Sequence, residues 1–177
     1  ATSSDGRRVV VGARNHDGTE EVTDSNGNSY FQNDVGSVRV FEYGTAADPT
    51  GWSQLGGDID GTTQNNCESS CYDGERFGAA VAMSADGNRI VVGAPQHTSG
   101  TYTGCSSNNN LWNIGTVRVF EYGTAANPTG WSQVGGDIDG VASSELFGSA
   151  VAMSADGNRI VVGNSPQNYD MLSSVRV

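Results

Sequence analysis

The chain has 177 residues with 25 Gly, and 20 acidic side chains against nine basic ones give it a net charge of −11 at pH 7. That sign excludes nucleic acid or an anionic membrane as the main partner, because both attract cationic surfaces. No apolar run approaches the roughly 20 residues a helical bilayer span needs, and with Arg as the sole basic residue type no Lys is available for a Schiff base.

Arg8 to Gly12 is a compact β-branched run and reads as a strand buried on both faces. Residues 13 to 36 read as a long polar loop holding His16, Asp17, Glu20, Glu21, Asp24 and Asp34. Val38 to Tyr43 alternates as a half-buried strand should, and Gly44 to Gly51, with Pro49 inside it, is a turn-rich connection. Trp52 to Leu55 starts another strand, which Gly56-Gly57 ends or bulges. After a loop from 61 to 76 comes Phe77 to Met83, rich in Gly and Ala and suited to a place where sheets converge. Ser84 to Asn88 links it to Arg89–Gly93; the Asp86-Gly87 pair in that link is a hairpin signal.

The remaining chain repeats these elements. Phe77 to Gly93 returns at Phe147 to Gly163 with one change, Ala79 to Ser149, and Gly36 to Gly61 returns at Gly115 to Gly140 with three. One unit therefore has four strands, A (77–83), B (89–93), C (117–122) and D (131–134), joined by links that favour an antiparallel meander. A repeat of this length built from four-stranded sheets predicts an all-β propeller segment rather than a solenoid, whose rungs run to about 20–30 residues. The expected blades are 1–61 with strands B-C-D, 62–140 complete, and 141–177 with strands A-B-C. About two and a half blades, open at both ends, lead to the expectation of a longer propeller or of completion by other chains.

Phe77-Gly78, the Ala/Val strand, the short turn and Val91-Val92-Gly93-Ala94-Pro95 together resemble the FG-GAP repeat of integrin α-chain propellers and of many secreted proteins. The third copy departs from it, reading Gly163-Asn164-Ser165. The resemblance implies a propeller that works in adhesion or ligand binding outside the cell. Integrin-type copies carry a calcium loop between strands A and B; here Ser-Ala-Asp-Gly-Asn is too short to wrap an ion, so calcium is not carried over to Asp86 or Asp156.

Alternating strand direction sends the B–C and D–A loops to one end of the fan and the A–B and C–D links to the other. The second end is nearly invariant between copies. At the first, the spacing from the strand-B Gly to the first Val of strand C is 26, 24 and 12 residues, and all three Cys and both His fall there. Loops on a rigid scaffold carry function, which makes this variable end the expected binding face.

His16 and His97, each four residues after the strand-B Gly, read either as elements of a metal or proton-transfer site or as ordinary surface residues. Asp58 and Asp60, repeated as Asp137 and Asp139, would share a cation such as calcium with Glu68, Asp73 or Glu145, or else bond to turn amides. Arg39, Arg118 and Arg176 are expected to pair with carboxylates between blades. Trp52 and Trp131 read as outer-strand packing residues, and Trp112 as a contact residue on the binding face. Cys105 would bridge to Cys67 or Cys71, or Cys67 to Cys71, favouring an oxidising compartment; no Asn-x-Ser/Thr glycosylation sequon accompanies them. No nucleophile elbow, phosphate loop or His-Glu-x-x-His pattern is present. The function expected is a non-catalytic extracellular binding or adhesion module that presents variable loops to a protein or glycan. The alternatives are a building block of an extracellular filament or larger complex, and a polysaccharide-acting propeller enzyme.

Overall fold

Three successive copies of the same strand pattern fold as three antiparallel sheets in the computed structural model, which describes residues 1–18, 21–23, 27, 29–31, 33–62, 74–98, 112–165 and 175–176. The first sheet is β1 (Arg8–Ala13), β4 (Ser37–Tyr43) and β5 (Trp52–Gln54), in that order, with β6 (Ile59–Asp60) also on β4. The second is β7 (Ala80–Met83), β8 (Arg89–Ala94), β9 (Thr116–Thr124) and β10 (Asn127–Gln133), with β11 (Ile138–Asp139) on β9. The third is β12 (Ala150–Met153), β13 (Ile160–Gly163) and β14 (Val175–Arg176). The chain is thus all-β, a propeller-like fan of blades reading B-C-D, A-B-C-D and A-B-C, and no sheet closes into a barrel. Among the described residues there is no helix.

Strand D is one strand with a bulge. Gln54 pairs with Phe41 and Ile59 with Val38, so Gly56-Gly57 is spliced in without ending the pairing, and Gly56 takes a φ of 77° that favours glycine. At the other end of the molecule, Gly87 and Gly157 supply the positive φ of the A–B turns. Each turn is locked by its Asp: Asp86 accepts from the Ser84 hydroxyl at 2.6 Å and from the Asn88 amide at 3.0 Å.

The blades meet around their inner strands, with β7 packed against both β1 and β12. Successive A–B turns hydrogen-bond in series, Ser4 N–H to the Ala85 carbonyl at 2.8 Å and Ala85 N–H to Ala155 at 2.9 Å. Arg8 donates to the Gly87 carbonyl and to Asn88 of the second blade, and Arg89 does the same to Gly157 and Asn158 of the third. Identical turns thus make an identical tie at each blade boundary.

Two apolar clusters fill the two boundaries. Val10, Val38, Val40, Leu55, Phe77, Ile90, Val92 and Phe120 lie between the first and second blades, and Val91, Val117, Phe147 and Val162 between the second and third. Phe77 and Phe147 are the wedges, each leading into a strand A. Phe77 bonds by its N–H to the Val35 carbonyl at 3.0 Å, and its ring meets Phe120 edge-on with centroids 6.0 Å apart. Gly78 follows with a φ of 85°, and a Cβ there would stand 2.8 Å from the Ser37 carbonyl oxygen, so the Phe-Gly pair is required by backbone contact between blades.

Several expectations change. Within 13–36 the chain forms a separate hairpin, β2 (Glu21–Thr23) with β3 (Ser29–Phe31). Strand A begins at Ala80, because the positive φ of Gly78 keeps the Phe77 end out of the ladder. The second C–D link is a tight hairpin with Asn127 opposite Thr124, whereas its first copy leaves residues 44–51 outside the strands. The Asn127 side chain donates to the Trp131 carbonyl at 3.2 Å, a bond that the carboxylate of Asp48 at the matching position has no proton to make. Full two-sided burial holds for β8 alone of the three B strands: Val11 in β1 is 48% exposed and Val161 in β13 is 37% exposed, each facing away from the fan. Trp52, expected to be packed, is 49% exposed for the same reason.

Candidate functional site: an ion network at the variable end

The B–C and D–A loops come together at one end. Gly74 N–H bonds to the Asn33 carbonyl at 2.6 Å, Gln96 N–H to Glu75 at 3.1 Å, and Ser144 N–H to Trp112 at 2.7 Å. Every pair joins the described part of a B–C loop to the described part of a D–A loop, so those parts meet at one end.

Glu75 organises that face beside the second blade. It is fully buried, and a carboxylate survives there because donors surround it. Arg118 reaches it bidentately, at 2.6 and 3.0 Å; the Thr62 amide and hydroxyl donate at 2.8 and 3.1 Å; and His97 Nδ1 lies 2.8 Å away. Burial alone pushes the Glu75 carboxyl up, but the bonds from His97 and Arg118 outweigh it and hold it below the usual carboxylate range. Arg118 continues the network through Nε to Asp137 at 2.9 Å, its guanidinium 5.5 Å from the Phe77 ring centroid. Gln133 takes the other Asp137 oxygen at 2.8 Å. Asp139, two residues on at the end of β11, brings its carboxylate close to that of Asp137.

His97 is held by its backbone, donating to the Ala94 carbonyl at 3.1 Å and accepting from Gly115 at 3.1 Å. His16 makes the matching bonds to Ala13 and Gly36. Among the described residues, one group of His and carboxylate side chains brings three ligand atoms within 4.8 Å of one another: His97, Asp137 and Asp139.

In the first blade Arg39 pairs with Asp58 at 2.7 Å, and Gln54 donates to the other Asp58 oxygen at 2.6 Å. These bonds, the one from Arg39 foremost, hold the Asp58 carboxyl low. Asp60 lies exposed on β6. The Asp58 and Asp137 carboxylates therefore bond to Arg and Gln side chains of their own blades rather than to turn amides, and Arg39 and Arg118 pair within a blade where pairing between blades was expected. Glu145 is buried and accepts from the Val141 and Ala142 amides at 2.7 and 3.2 Å. Trp112 is exposed at the loop end. Glu68, Asp73, Cys67, Cys71 and Cys105 lie outside the described residues, and so does the side chain of Arg176. Sequence reasoning missed Glu75. The signal was present, since a Glu stands two residues before the Phe of both Phe-Gly pairs, as Glu75 and Glu145.

Comparison with protein-family models and with curated proteins finds no match to this chain.

Proposed function

We propose that the chain is a non-catalytic binding or adhesion module that works outside the cell, with the loops of the variable end presented to a protein or glycan partner. One observation carries the reading: B–C loops of unequal length, with Trp112 exposed among them, are anchored at one end, while the opposite end is a uniform series of bonded turns. Conserved architecture with one diversified face is what a recognition scaffold requires. The resemblance of the Phe-Gly and Gly-Ala-Pro signatures to FG-GAP repeats supports it from an independent direction.

The test is binding of the chain to a glycan array and to extracellular protein extracts. A specific ligand should be captured by the native chain and lost in Trp112→Ala, with the fold intact by circular dichroism. Capture unaffected by Trp112→Ala and by exchange of loop 94–115 for the shorter third-copy loop would overturn the assignment of the face. Turnover of a polysaccharide panel would overturn the non-catalytic reading.

A second reading, a building block of a larger assembly, is favoured by the outer flank of the first blade. Val11, Tyr43 and Trp52 are exposed there. Their counterparts Val92, Tyr122 and Trp131 pack against the preceding blade.

A further inference from the structure

We propose that His97, Asp137 and Asp139 form a site for a divalent transition-metal cation of the zinc class. This stands apart from the binding-module reading, since it concerns one blade's own chemistry. The three side chains offer ligand atoms that all lie within 4.8 Å of one another; donors sharing an ion at about 2.0–2.2 Å stand no more than about 4.4 Å apart, so a small rotation of exposed Asp139 closes the set.

A second observation comes from outside the trio. Glu75, fully buried, takes the Nδ1 side of the His97 ring at 2.8 Å. A carboxylate behind an imidazole fixes the tautomer with the proton on Nδ1, which leaves the Nε2 lone pair for a metal. Charge points the same way: Glu75 and Asp137 share the guanidinium of Arg118, and Asp139 adds a third carboxylate close to Asp137. With a neutral imidazole the cluster stays negative, and a divalent ion would balance it. Arg118 and Gln133 each take one Asp137 oxygen and hold that carboxylate in place, while each oxygen retains a further acceptor position. Asp139 is exposed at the end of β11 and free to turn toward an ion.

The first blade supplies an internal contrast. His16, Asp58 and Asp60 occupy the matching sequence positions, yet among the described residues the second-blade trio alone is brought within range. The buried Glu behind the ring belongs to the second blade, which identifies Glu75 as the positioning residue. A nitrogen ligand beside two carboxylates selects zinc-class ions over calcium, which takes oxygen donors.

The test is calorimetric titration of zinc chloride into the full chain after alkylation of free thiols, so that Cys67, Cys71 and Cys105 do not compete. Saturable binding of one ion is expected, with affinity reduced at least ~10-fold in Asp139→Asn and in His97→Gln and unchanged in His16→Gln. Asp139→Asn changes an exposed side chain, so loss of fold does not confuse its result. Absence of saturable binding, unaltered affinity in Asp139→Asn, or an equal loss in His16→Gln would each overturn the proposal.

Discussion

Glu75 shows how a single buried charge comes to be tolerated. Its two oxygens take bonds from Arg118, His97 and Thr62, so desolvation is compensated bond by bond. Removing the carboxylate leaves Arg118, itself buried, facing an empty place. Glu75→Ala is therefore expected to lower stability by about 3–5 kcal/mol in urea unfolding, the usual cost of stranding one partner of a buried pair. The pH dependence has a definite sign. The folded-state pKa of Glu75 lies below its ordinary value of 4.5, so on acidification the unfolded chain takes the proton first. Its contribution is complete above that ordinary value and is lost as pH falls through the folded-state pKa. The loss in urea midpoint between pH 7 and pH 3 should be smaller in Glu75→Gln than in the native chain; equal losses would show that Glu75 is not responsible. Asp156, held at about 2 by the Ser154 hydroxyl and the Asn158 amide, stays ionised well below the ordinary carboxylate range.

Among the elements, strand D shows how position in the fan decides what a side chain does. Trp52 and Trp131 come from identical Gly-Trp-Ser-Gln segments. Trp131 donates its indole N–H to the Leu55 carbonyl of the first blade at 2.9 Å, beside Gly56, where there is no Cβ in its way. Trp52, 49% exposed, touches Tyr43 of its own blade with ring centroids 5.5 Å apart. The same substitution should therefore have unequal costs: Trp131→Ala about 2–4 kcal/mol, from lost packing and a stranded carbonyl, and Trp52→Ala under about 1 kcal/mol. Chemical denaturation of the two variants side by side measures the difference, and equal costs would contradict the blade boundary described above.

Across the whole molecule, the two ends of the fan differ from its two flanks. The ends are closed, one by serial turn-to-turn bonds and the other by loop-to-loop bonds. The flanks expose, at Val11 and at Val161, the valines that the middle blade buries as Val92 and Val91. A contact between copies through unlike flanks would be head-to-tail and would build rings or open filaments rather than a closed two-fold dimer. If the building-block reading holds, sedimentation should show association that grows with concentration and is abolished by Val11→Asp with Trp52→Ser. A chain that stays monomeric at high concentration would remove that reading and leave the binding module.

Repetition made much of this legible in advance. Within the three blades, strand order and antiparallel sense follow from matching copies and short Asp-Gly links, because turn chemistry and alternation are local properties; the β2–β3 hairpin, which has no matching copy, was not legible. The recurrence of Val-Arg-Val, of Glu two residues before Phe-Gly, and of Asp-Ile-Asp likewise marked the charged positions. Their partners were another matter. Arg39 and Arg118 stand in the same local sequence, yet Arg39 pairs with Asp58 within its blade while Arg118 also reaches buried Glu75. Which copy of a repeated residue is buried, paired or brought beside His97 depends on what a connecting loop places against it, as the loop leading into β7 places Glu75 against Arg118 and His97. A contact between segments far apart in the chain leaves no periodicity to read, so the tertiary structure alone decided the network and the side chains gathered around it.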